Sequence, residues 1–177
     1  LIERMGAITR QLKSYARTGG HAVEAIDARA SVSSALAMME PQLRRGDIRN
    51  ETRLPREPLM VMADRIRLEQ VIINLLRNAI DATRGVKSPE IRILASGGET
   101  VLISVRDNGE GIDDLEQLFE PFYTTKSPGD GVGLGLAISS SIVNELGGRL
   151  TARNGRTEGA IVDITLPRIN ERTEAAE

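Results

Sequence analysis

The sequence has 177 residues, 40% of them hydrophobic, and a formal net charge of -2. That balance excludes a disordered chain and a strongly basic nucleic-acid-binding surface, and the length suits one core with an appendage. Cysteine is absent, which excludes disulfides, thiolate metal sites and cysteine nucleophiles and fits a reducing compartment.

In chain order, Leu1, Met5, Ile8, Leu12 and Tyr15 recur at alternating four- and three-residue intervals. This is the seam of a bundle helix over 1–17, whose partner helix lies elsewhere. Thr18-Gly19-Gly20-His21 breaks the repeat, so a linker is placed at 18–22, one domain at 23–167 and a polar tail at 168–177. Because residue 1 is leucine, the sequence is expected to be part of a longer chain, with any targeting or membrane segment outside it. No apolar run reaches the ~20 residues that a membrane-spanning helix needs.

Within the domain the patterning predicts a helix over 28–45, a short strand near 59–63 and a helix over 64–83. Strands at 90–96 and 100–107 flank Gly97-Gly98, a hairpin signal. Residues 108–133 are rich in Gly, Pro, Asp and Thr and exceed the ~12–15 residues of an ordinary connection, as functional loops do. A helix over 134–146 stops at Gly147-Gly148, and strands at 149–154 and 160–166 complete an α/β layer.

Three stretches carry candidate chemistry. In EQVIINLLRNAIDA, residues 69–82, Gln70, Asn74, Asn78 and Asp81 form one polar stripe with Arg77 beside it, on an otherwise apolar helix. A buried amide without partners costs about 1–3 kcal/mol, so the two asparagines need neighbouring backbone, water or a ligand. Carboxamide oxygens suit Mg²⁺ when phosphates supply the negative charge. Backbone partners and a ligand both remain open from this helix alone.

In VLISVRDNGEGI, residues 101–112, the core-facing row Val101, Ile103, Val105 ends in Asp107, followed by Asn108-Gly109-Glu110-Gly111. A carboxylate there suits a purine amino group, and the glycines admit a flat ligand. An ordinary turn is the other reading, and the spacing does not fit an EF-hand. In FEPFYTTKSPGDGVGLGLAI, residues 119–138, Gly129, Gly131, Gly133 and Gly135 lead into a helix, whose free N–H groups favour a phosphate. It is neither a Walker A loop nor a dinucleotide fingerprint, since no Gly-Lys-Ser/Thr ends it and Leu136 takes the place of the third glycine. Thr124, Thr125 and Lys126 add hydroxyls and a cation. Phe119 and Phe122 are expected to pack the loop onto the domain.

The ordered motifs NLLRNAIDA, DNGEGI, FEPFYTTK and GVGLGLAI resemble the N, G1, F and G2 boxes of the bacterial sensor histidine kinase ATP-binding domain, over about residues 30–166. Within that family FEPFYTTK is similar to the nitrogen-regulation and C4-dicarboxylate transport sensors. The resemblance implies a two-layer α/β sandwich of the Bergerat type with a mixed sheet, preceded by one bundle-type helix, and an ATP lid over roughly 113–132.

The same resemblance assigns Asn78 to Mg²⁺, Asn74 and Arg77 to the phosphate side, and Asp107 to the adenine amino group. Gly109 and Gly111 go to the base pocket, and Gly131, Gly133 and Gly135 to the phosphates. The implied ATP-contacting set is completed by Asp81, Ile112, Thr124, Thr125, Lys126, Leu134 and Leu136. Helix 1–17 looks like the second helix of a dimerisation and phosphoacceptor hairpin. The histidine that accepts phosphate belongs to the first helix of such a hairpin, and His21 lacks the surrounding residues of that motif. No catalytic side chain is therefore assigned within the sequence.

The implied activity is transfer of the γ-phosphoryl of Mg-ATP to a histidine of the parent protein, for two-component signalling. The implied partners are that hairpin and a downstream response regulator receiver domain. The parent is implied to be a homodimer, and this region its cytoplasmic portion, with an inner-membrane anchor left open. Hydrolysing relatives of the fold carry a glutamate one helical turn before the magnesium asparagine, where Asn74 stands here. Readings as an ATP hydrolase, a nucleotide-gated module or an anti-sigma-type serine kinase are the alternatives. The third glycine box is reduced to Gly159-Ala160 and is given little weight.

Overall fold

The computed structural model describes residues 22–125 and 132–169. The helix at 1–17, the linker with His21, and the flap residues Lys126, Gly129 and Gly131 lie outside these. Ten elements follow in order: β1 (Glu24–Asp27), α1 (Ala28–Arg45), β2 (Arg49–Arg53), β3 (Met60–Ala63), α2 (Arg65–Ala82), β4 (Glu90–Gly97), β5 (Thr100–Asp107), α3 (Gly135–Glu145), β6 (Arg149–Asn154) and β7 (Ala160–Pro167).

A five-stranded sheet runs β2-β4-β5-β7-β6, and β1 pairs antiparallel with β3 in a separate two-stranded ribbon. Only β2 and β4 run parallel, so the sheet is mixed as expected. The alternation predicted for β5 is observed: Val101, Ile103 and Val105 are buried. The first two face the core row of β7 through the registers Val101↔Leu166 and Ile103↔Ile164, and Val105 faces Ile93 of β4.

Helix α2 lies over this face and buries Leu68, Val71, Ile72, Leu75, Leu76 and Ala79. Each Leu, Val or Ile side chain among them, fully buried, is worth about 1.5–3 kcal/mol. It starts at Asp64, which is itself buried and whose Oδ1 accepts from the N–H groups of Ile66 at 2.9 Å and Arg67 at 3.3 Å. Such a cap satisfies donors that the helix itself cannot. Helix α1 is capped by Asp27, whose Oδ1 accepts from the N–H groups of Arg29 and of Leu59, each at 3.1 Å. One carboxylate thus ties the helix start to the chain leading into β3. The Arg29 guanidinium beside it holds the Asp27 carboxyl below the usual carboxylate range.

Two strands were not predicted. β1 is four residues long, and β2 reads Arg-Asn-Glu-Thr-Arg, with no residue fully buried. Neither has an apolar alternation of its own. β2 exists because its backbone pairs along Arg49↔Glu90 to Arg53↔Leu94.

Candidate functional site

One face of α2 is left uncovered by the sheet, and α3 lies alongside it. Between them opens a cavity of about 1040 Å³, bounded below by the end of β5 and the Gly111–Ile112 turn and on the far side by Tyr123–Thr125. That volume is at the upper end for small-ligand sites. Asn74, Arg77, Asn78 and Asp81 all line it from α2, so the polar stripe faces the cavity, while Leu68, Val71, Ile72 and Leu76 face the core.

At the deep end lies Asp107. Its Oδ1 accepts from Gly109 N–H at 2.9 Å and Ala160 N–H at 3.2 Å. Both bonds fall on one oxygen, and among the described residues no protein donor reaches Oδ2. Burial raises the Asp107 carboxyl above the ordinary aspartate range, partly offset by these two N–H donors and reinforced by Glu110. The carboxylate is held in place by backbone, with an acceptor left for something else.

The surrounding glycines explain how the backbone can come so close. A Cβ on Gly109 would lie 2.4 Å from the Ala82 carbonyl oxygen, so that glycine packs β5 onto the end of α2 rather than lining the cavity. Gly159, with φ +73°, leaves no room either: a Cβ there would stand 1.9 Å from the Asp107 carbonyl oxygen. The Gly159-Ala160 pair, given little weight from sequence, is therefore what seats Asp107. Ile112 is fixed from a third direction by Asn154, whose Oδ1 accepts from Ile112 N–H and whose Nδ2 donates to the Ile112 carbonyl.

At the other end is the start of α3. Leu134, the residue before it, makes no side-chain cap. The first N–H groups of α3 are thus available to an anion. Gly133 adopts φ +71°, accepts from Phe122 N–H at 2.8 Å, and has no space for a Cβ beside the Phe122 backbone. This brings the two described ends of the flap together. Phe119 packs on the core as expected, but Phe122 does not: it has φ +69° and is 67% exposed. Its backbone is committed to Gly133, and the ring stands outside the domain.

Asn74 sits between the two helices. Its Nδ2 donates to Ser139 Oγ of α3 at 3.0 Å, and its Oδ1 lies 2.5 Å from where a Cβ of Gly135 would be. Neither contact is with backbone carbonyl or N–H. The structure thus gathers Gly111, Ile112, Thr124, Thr125, Gly133, Gly135 and Leu136 around the same cavity as the α2 stripe. Leu134 is buried behind it. Sequence reasoning did not single out Ser139 or Asn154, neither of which belongs to a motif, and it gave little weight to Ala160.

Among the described residues no three His, Cys, Asp or Glu side chains gather as a metal site. A divalent cation here would depend on carboxamide oxygen and ligand phosphates. Asn78 on the cavity wall and the uncapped, glycine-lined start of α3 fit that requirement.

Residues 63–170 match the family model described as histidine kinase-, DNA gyrase B-, and HSP90-like ATPase. The chain is 39% identical over 171 residues to the C4-dicarboxylate transport sensor protein DctB of Pseudomonas aeruginosa, covering 94% of this chain but 28% of that protein. The catalytic domain of histidine kinase ThkA superimposes with a TM-score of 0.72 at 31% identity, covering 82% of this chain and 97% of that one. ThkA in complex with the response regulator protein TrrA gives 0.77 at 26% identity, covering 97% and 49%. No helix among the described residues is long and apolar enough to cross a membrane.

Proposed function

Because this chain belongs to the histidine kinase-, DNA gyrase B-, and HSP90-like ATPase family, we propose that it is the ATP-binding catalytic portion of a sensor histidine kinase. It holds Mg-ATP in the cavity between α2 and α3 and donates the γ-phosphoryl to a histidine on a hairpin of the parent protein. The chain spans little more than a quarter of the curated relative's length, and the reading places the acceptor histidine and the sensing region in the parent protein.

The observation that carries this reading is the polarity of one cavity. A fixed carboxylate, Asp107, stands at one end, an uncapped helix start at the other, and two carboxamides between them. The carboxylate accepts the adenine amino group, and Gly111 and Ile112 border the base. Thr124, Thr125 and the start of α3 receive the phosphates, with Lys126 and Gly131 of the flap joining them. Magnesium, held through Asn78 and the phosphates, neutralises charge on the transferring group. Phosphoryl transfer asks the protein for positioning and charge neutralisation more than for covalent chemistry.

Asn74 decides between transfer and hydrolysis. A carboxamide takes no proton at neutral pH, so the position one turn before Asn78 activates no water. The γ-phosphoryl waits for the parent's histidine. Exposed Met38 and Ile66 on the open rim of the cavity offer an apolar ledge to the hairpin that brings it. The response regulator is the next acceptor, the parent acts as a homodimer, and C4-dicarboxylate-type sensing fits the similarity to DctB described above.

Radiolabelled ATP tests the proposal. The isolated chain stays unlabelled, and acid-labile label appears on an added hairpin fragment of the parent. Stable label on the isolated chain, or rapid phosphate release by it, overturns the reading.

A further inference from the structure

We propose that Ser139 is a positioning residue that fixes the Asn74 carboxamide with its oxygen facing the phosphate end of the cavity; the inference rests on the ATP reading above. Ser139 is 2% exposed, yet the residue lines the cavity, and its Oγ accepts from Asn74 Nδ2 at 3.0 Å. The amide's donor end is thereby committed to α3. Its Oδ1 occupies the space where any side chain at position 135 would be, with the Nδ2 3.0 Å from the same point. The carboxamide is held by a hydroxyl on one turn of α3 and seated in the gap left by a glycine on the turn before.

The consequence is chemical. Oδ1 lies beside the uncapped start of α3, where phosphate oxygens are expected. Two acceptors placed side by side repel unless a donor or a cation stands between them. An oxygen fixed in this orientation therefore favours a metal-loaded nucleotide, through a water on the cation, over a bare one. If the amide were free to turn, its NH₂ would meet the phosphates directly and that preference would fall. Ser139 thus makes the site selective for nucleotide bearing its metal, and does so from α3, the helix that continues directly from the flap.

Calorimetric titration of ATP, with magnesium and with chelator, and of adenosine into the native chain and two variants tests this. In Ser139→Ala the factor by which magnesium strengthens ATP binding falls by roughly threefold to tenfold, about the worth of one hydrogen bond. Adenosine affinity is unchanged, and Ser139→Thr, which keeps the hydroxyl, recovers most of the factor. An unchanged magnesium factor in Ser139→Ala, an equal loss for ATP and adenosine, or a folded Ser139→Thr without recovery overturns the inference. Side-chain amide exchange in the native chain gives a reading that needs no variant: one Asn74 NH₂ proton is protected from solvent, and fast exchange of both defeats the proposal. A native chain that binds no Mg-ATP at all instead defeats the site assignment on which this rests.

Discussion

Asn154 and Ile112, 42 positions apart, bind each other twice. Asn154 Oδ1 accepts from Ile112 N–H at 2.7 Å, and its Nδ2 donates to the Ile112 carbonyl at 2.9 Å. A side-chain amide here stands in for a strand, pairing both backbone groups of the residue where the flap leaves the sheet. Gly111 is drawn into the same clasp, since a Cβ on it would meet Asn154 Oδ1 at 3.0 Å.

Asn154→Ala removes both bonds at an exposed position, so most of the effect falls on the cavity and little on global stability. ATP affinity is expected to drop roughly threefold to tenfold, with Tm changing by no more than ~3 °C. Calorimetric titration beside thermal unfolding separates the two quantities, and a large loss of Tm with unchanged affinity contradicts the assignment.

Asp107→Asn separates binding from stability. Burial lifts the Asp107 carboxyl above its ordinary value, so the ionised form destabilises the ligand-free protein at neutral pH. A raised carboxyl binds its proton more readily folded than unfolded, so its penalty is present at pH 7 and vanishes as pH falls through the raised value toward 3.8. The asparagine variant keeps an oxygen for Gly109 and Ala160. Its Tm is expected to rise by ~2–4 °C at pH 7, with the gain shrinking in acid, while ATP affinity falls by about 1–3 kcal/mol. Equal Tm values at every pH would show that the carboxylate is not strained by burial.

Gly159→Ala tests the seat beneath Asp107. The new methyl meets the Asp107 carbonyl oxygen at 1.9 Å, on a backbone already at φ +73°. A loss of about 2–3 kcal/mol or more in urea unfolding is expected, together with loss of nucleotide binding. Retention of both requires that β7 shift without disturbing the cavity.

Asp27→Ala lies far from the chemistry and touches stability alone. It removes a cap from α1 and the acceptor of Leu59 N–H, at a cost of about 1–2 kcal/mol near neutral pH. Because Arg29 lowers this carboxyl in the folded state, the contribution is present above the unfolded value of 3.8 and is lost as pH falls through the folded one. Unfolding curves of the two proteins therefore converge in acid, and divergence there contradicts the linkage.

Reading the chain locally found what is locally encoded. The 3.6-residue period of 64–83 separated the stripe of Asn74 and Asn78 from the core face, and the two-residue period of 100–107 delivered Asp107 at the end of a buried row. Val32, Ala35, Met39 and Leu43 keep the buried face of α1 in register across Pro41. β2 escaped because its five residues are polar and become a strand only against β4.

The sequence by itself determined the three described helices, the central strands and the chemical character of the motifs, because side-chain periodicity and glycine's backbone freedom act over a few neighbouring residues. Only the tertiary structure decided that Ser139 grips Asn74, that Asn154 clasps Ile112 and that Gly159-Ala160 seats Asp107. These pairs stand 65, 42 and 53 residues apart at their hydrogen bonds. No local pattern marks such partners, since a serine, an asparagine and an alanine acquire their roles only when packing of helices on the sheet sets which backbones meet.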